Sequence, residues 1–146
     1  SWVLGIESMI YLWLFLMSKV VIAGSASLQD KILEWKAYWE DQWYEVIDYP
    51  LAIDQATFLE DYPQVHKKFF AAIMETDILF VMNEDKKGVK WYLGAESFAE
   101  MCFGVSQNLL DGKERKIILL QMPEKSVPSY DEVELWLKLG WIELHQ

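Results

Sequence analysis

The chain has 146 residues, of which 53% are hydrophobic, 15% aromatic and 25% charged. That length fits one domain and excludes two, and so apolar a composition excludes a disordered segment, because burial can offset the conformational entropy lost on folding. Thirteen Lys and Arg against 23 Asp and Glu give a net charge of −10, which repels phosphate backbones over most of the surface and argues against a nucleic-acid polymer as partner.

Residues 9–17, MIYLWLFLM, are an uncharged run lying between Glu7 and Ser18-Lys19. A bilayer span needs about 20 apolar residues and a signal peptide needs a basic front flank, so neither is expected. Met17-Ser18-Lys19 has the form of a protein start running straight into a strand. Residues 1–17 therefore read in one of two ways: as an apolar extension foreign to the domain, or as a helix whose Trp13, Leu14 and Leu16 cover a neighbouring subunit, since apolar patches of that size rarely stay exposed on monomers. The domain itself is expected over 18–146.

From there strand and helix signals alternate. KVVIA at 19–23 is apolar without alternation, as in a strand buried on both faces of a parallel sheet. The turn Gly24-Ser25-Ala26-Ser27 leads into Leu28, Ile32, Trp35 and Trp39, whose spacing marks one face of a helix. Ser25 or Ser27 can cap that helix, and either hydroxyl beside the free N–H groups of the first turn offers an anion or sugar site; a plain N-cap accounts for them equally, and one glycine is too few for a dinucleotide fingerprint. YEVIDY at 44–49 predicts a second strand stopped by Pro50. Residues 51–63 read as a loop or short helix, with Pro63 precluding an unbroken helix, and helical spacing returns at Val65, Phe69, Ala72 and Ile73. DILFVMN at 77–83 predicts a central strand, followed by the polar loop 84–88.

Gly94 precedes a helix with Phe98, Met101 and Val105 turned inward and Glu100 in its first two turns. The positive end of a helix tends to keep a carboxylate ionised, which a carboxylate nucleophile requires. Ser97-x-x-Glu100 equally has the form of a capping box. KIILL at 116–120 is a further buried strand, 131–139 a short helix, and 141–144 an edge strand. Four to five strands alternating with helices predict a doubly wound, three-layer α/β fold with right-handed crossovers and a ligand site at the carboxyl ends of the strands, where Gly24-Ser25, Asn83 and residues 91–100 converge.

Residues 19–124 resemble the nucleoside 2-deoxyribosyltransferase-like family. The resemblance lies in KVVIAGSAS, in TDILFVMNEDKKGVKWYLGAESFAEM and in KIILLQMPE. Asp77, Asn83, Asp85, Lys86, Gly88, Tyr92, Gly94, Glu100 and Met101 fall on the family's pattern, whereas Ser97 stands for its threonine, Cys102 for its glycine and Val105 for its alanine. The resemblance implies a flavodoxin-like fold, cleavage or transfer at nucleoside or nucleotide N-glycosidic bonds, and a homo-oligomer; no cofactor is expected, and the single cysteine, Cys102, suits a reducing compartment, by default the cytoplasm. It implies Glu100 as the nucleophile that captures C1′, Tyr92 as its orienting partner, and Gly24, Ser25, Asn83, Asp85, Gly94 and Ser97 as substrate-binding positions. Trp91 can stack on the base or simply pack.

One departure stands out. The aspartate that the family carries eight residues before its third-strand acid falls here on Phe69, with His66 three residues earlier. Another acid must replace it; Asp54, Glu60 and Asp61 from the loop, or Asp85 and Glu96 near the nucleophile, are candidates that no position of the family pattern singles out. That gap sustains an alternative, a non-catalytic nucleoside- or nucleotide-binding module in which Lys86, Lys87 and Lys90 neutralise a phosphate; a solvated loop explains them as well. A single cysteine, Cys102, and two scattered histidines, His66 and His145, provide no disulfide and no recognisable metal set.

Overall fold

A computed structural model describes residues 2–146, with the side chains of residues 2–4, of Leu14 and of Phe15 outside the described part. The order is α1 (Trp2–Leu16), β1 (Lys19–Ala23), α2 (Gln29–Asp41), β2 (Glu45–Asp48), a 3₁₀ turn (Gln55–Thr57), α3 (Phe58–Glu75), β3 (Ile78–Val81), α4 (Ala95–Asp111), β4 (Lys116–Leu119), α5 (Tyr130–Leu139) and β5 (Glu143–Leu144). All strand pairings are parallel and the sheet order is β2-β1-β3-β4-β5, the doubly wound, three-layer flavodoxin-like arrangement expected from the sequence.

The apolar runs form the central strands because both sheet faces are covered. On one face Val21, Leu79, Val81, Ile117 and Leu119 pack against Phe69 and Ile73 of α3, Met101 and Val105 of α4, and Val133 and Trp136 of α5. On the other, Val20, Ile22, Phe80 and Ile118 pack against Ile32 and Trp39 of α2. Around these, Trp35, Tyr38 and Tyr44 add an aromatic shell in which the His145 ring stands edge-on to Trp35 at 5.4 Å.

Two local expectations are corrected. Neither Ser25 nor Ser27 caps α2, whose N-cap is Leu28 with no side-chain bond; the two hydroxyls instead bond one another at 2.8 Å. Pro63 does not break the chain there: it sits inside the 18-residue α3, in the second turn, where its missing N–H deletes a single backbone bond.

The N-terminal run forms α1, which touches the domain through Trp13 packed edge-on to Trp43 at 6.0 Å. Ile6, Met9, Ile10, Leu12 and Leu16 are exposed on it. Among the described residues no helix is long and apolar enough to cross a membrane.

Candidate active site

Between β1 and β3 the chain leaves the sheet in opposite directions, and a crevice opens at the strands' carboxyl ends. There lies a cavity of about 580 Å³, floored by Gly24 and Ser25 after β1, Asp48 and Tyr49 at the end of β2, and Met82 and Asn83 after β3. The α4 N-terminus contributes Gly94, Glu96, Ser97 and Glu100, and Tyr92 borders it. The size suits a nucleoside-sized ligand, since small-molecule sites run from about 300 to 1,000 Å³.

Glu100 is the sixth residue of α4, whose N-cap is Gly94, so Ser97-x-x-Glu100 is not a capping box. Its side chain is 5% exposed, lines the cavity and makes no hydrogen bond or ion pair among the described residues. Burial, with the charges of Glu96 and Asp48 adding to it, pushes its carboxyl up to about 8. This corrects the expectation that the helix end keeps it ionised. The dipole contributes about 0.3–1 kcal/mol and fades beyond the first turn, whereas desolvation of a carboxylate costs several times more.

The other expected positions divide. Ser25 Oγ accepts from Lys86 Nζ at 2.7 Å, and Lys86 Nζ lies 5.9 Å from the Tyr92 ring centroid, so all three share one wall. Lys86 is held there by a tight turn in which Lys86 and Val89 exchange backbone bonds around Lys87 and Gly88, both at positive φ. Lys87 and Lys90 do not line the cavity. Gly24 allows a close approach, because a Cβ at that position would lie 2.6 Å from Met82 Cγ.

Asn83 is spent on scaffolding: its amide donates to Trp91 O and Gln121 O, and its oxygen accepts from Gln121 N–H. Asp85 accepts from Trp91 N–H at 2.9 Å and lies outside the cavity lining, as does Trp91. Both residues shape the loop that presents Tyr92 and Gly94. Tyr92 borders the cavity, and its hydroxyl makes no hydrogen bond to Glu100 among the described residues.

Phe69, where the family resemblance leads one to expect an aspartate, is 7% exposed and lines the cavity. Of the acids expected to replace it, Asp54, Glu60, Asp61 and Asp85 do not reach the cavity, and Glu96 does.

Two features escaped the sequence. Phe58, Tyr62 and His66, one turn apart on α3, form an aromatic wall, with Tyr62 stacked on Phe58 at 5.2 Å and on His66 at 5.0 Å; the i, i+4, i+8 spacing was its signal, hidden by Pro63. The second is Asp48, 8% exposed, whose carboxyl is raised chiefly by burial. No family model matches the chain, and no curated protein does.

Proposed function

We propose that the chain is a nucleoside 2-deoxyribosyltransferase, or a related nucleoside or nucleotide N-glycosidase, acting through a covalent glycosyl intermediate on Glu100. The observation that carries this reading is a single one: an unpartnered carboxyl, nearly buried, borders a nucleoside-sized cavity at the switch point of the sheet. Buried carboxyls without partners are costly and are kept where a reaction uses them.

Cleavage of a C1′–N bond leaves an oxocarbenium-like sugar, and a carboxylate below C1′ can capture it, as in retaining glycosidases. The Phe58, Tyr62 and His66 rings supply a surface for the flat base, and Ser25 and Ser97 supply hydroxyls for the sugar. A second base attacking C1′ gives transfer, and water gives hydrolysis. Glu100 attacks only as the carboxylate, so with its carboxyl raised to about 8 it must first pass its proton to another group.

Incubation with 2′-deoxynucleosides and a different free base tests the reading. Exchanged nucleoside or free sugar, and a sugar-mass adduct on intact protein, are expected for the wild type and not for Glu100→Ala; equal exchange in that variant overturns the assignment.

Lys86 on Ser25 favours a second reading, a nucleotide-binding module without turnover. In that case nucleoside 5′-monophosphates raise the melting temperature more than nucleosides do, with no product formed. The family pattern also carries a homo-oligomer, which sedimentation of the chain with and without residues 1–16 tests.

A further inference from the structure

A departing nucleobase needs a proton, and the position that carries the family's acid holds Phe69 here. We propose that Asp48 donates that proton, an inference that rests on the glycosidic reading above. The backbone aims it. Val20 pairs with Val46 and Val21 with Asp48, so Ile47 is an extra residue bulged out of β2. Val46 packs on the α2 side of the sheet and Ile47 on the α3 side. Regular alternation would return Asp48 to the α2 side, yet it borders the cavity with Lys68 of α3, and Tyr49 resumes the α2 side. The bulge thus turns the carboxyl into the cavity that holds Glu100. Bulges next to active sites commonly re-aim a side chain in this way.

The carboxyl is also equipped for the role. Asp48 Oδ1 accepts the Tyr49 N–H at 2.8 Å, which fixes the rotamer, and no cation pairs with the group within 4.0 Å among the described residues. The other acids that border the cavity fit less well. Glu84 Oε1 is occupied by Trp35 Nε1–H at 2.9 Å, and Glu96 is exposed to solvent. His66, Lys68 and Lys86 also face the cavity, and His66 is stacked in the aromatic wall.

The step balances. Glu100 carboxylate forms the C1′–O bond as the C1′–N bond breaks, the bond's electron pair stays on the base, and the base takes the Asp48 proton. Glu100 and Asp48 therefore need only one proton between them, and the catalytic form, Glu100 ionised with Asp48 protonated, has the same charge as the form with that proton on Glu100. In transfer, the incoming base returns its N–H proton to Asp48 as Glu100 is released.

The test compares Asp48→Asn with wild type on two substrates. One is 2′-deoxyguanosine, whose base leaves only with a proton; the other is N7-methyl-2′-deoxyguanosine, whose cationic base departs neutral without one. Loss of about 10²–10³-fold on the first with retention within a few-fold on the second is expected, as for removal of a general acid. Asp48→Ser repeats the comparison if the amide fails to fold. Equal losses on both substrates, no loss on either, or the same split produced by His66→Ala or Glu96→Gln in place of Asp48→Asn each overturn the proposal. Wild type inactive on both removes the glycosidic reading itself; wild type active without a selective loss in Asp48→Asn removes only the acid.

Discussion

Asp48 at the end of β2 and Glu100 in α4 border one cavity, and the negative charge of Asp48 adds to burial in holding the Glu100 proton. This arrangement couples stability to pH. Between the ordinary carboxyl value of 4.5 and the folded value of about 8, the folded state keeps a proton that the unfolded chain has released. Folding takes up that proton, so stability falls as pH rises through the window, is fully penalised above about 8, and carries no penalty below about 4.5. The penalty is on the order of 5 kcal/mol. Glu100→Gln removes the titrating group while keeping the shape. Its melting temperature should exceed wild type increasingly from pH 5 to about pH 8 and by a constant margin above that, with glycosidic turnover lost; parallel melting curves for the two proteins from pH 5 to pH 8 would contradict a buried, raised carboxyl.

How legible this site was in the sequence depended on which force set each part. The strands β1, β3 and β4 stand out because a parallel strand covered on both faces is a plain apolar run, and Glu100 and Gly94 come with the helix that follows β3. Asp48 does not, because its direction comes from an inserted residue in β2, and a bulge leaves no composition signal. The start of α3 was obscured because Pro63 reads as a stop although it costs only one bond near the helix start. Glu100's charge state is not legible in the sequence, because helix position is visible there while the depth of a cavity wall is not.

Arg115 is the buried tie at the opposite end of the sheet. It is 5% exposed, and its guanidinium donates to Met74 O at the end of α3 and to Asn108 and Asp111 of α4. Those bonds satisfy a helix-end carbonyl that has no intrahelical partner. Arg115→Met leaves the carbonyl short of donors and should cost about 2–4 kcal/mol. Denaturant unfolding measures it. Because the cavity lies at the carboxyl ends of the strands, turnover well below the melting temperature should be unchanged; a loss of activity in folded protein would show that the two ends are coupled.

Gly104 lets α4 lie directly on the sheet. A Cβ there would stand 2.9 Å from Leu79 Cδ2 and 3.2 Å from Ile117 Cδ1, both in the packed core. Gly104→Ala should gain helix propensity and still destabilise by about 1–3 kcal/mol, because over-packing forces side chains off their rotamers or lifts the helix. Lifting α4 also displaces Glu100 one turn upstream, so turnover should fall in protein that remains folded. An unchanged or raised melting temperature would mean that Leu79 and Ile117 yield without strain.

Trp43 occupies a position made for glycine. It follows α2 at φ 67°, with Trp43 N–H bonding Glu40 O and Tyr44 N–H bonding Trp39 O, the paired bonds of a Schellman motif. Left-handed backbone costs a bulky residue about 1–2 kcal/mol, and the ring, 70% exposed, recovers part of this through its edge-on contact with Trp13. Glycine removes the strain but adds entropy to the unfolded chain, so Trp43→Gly should stabilise by about 0.5–1 kcal/mol, a rise of a few degrees in melting temperature. Trp43→Ala separates the two effects, since it loses the ring and keeps the strain, and it should melt below wild type. Should both variants melt lower by the same amount, the contact with Trp13 outweighs the backbone, and α1 is anchored to the domain more firmly than a single aromatic pair implies.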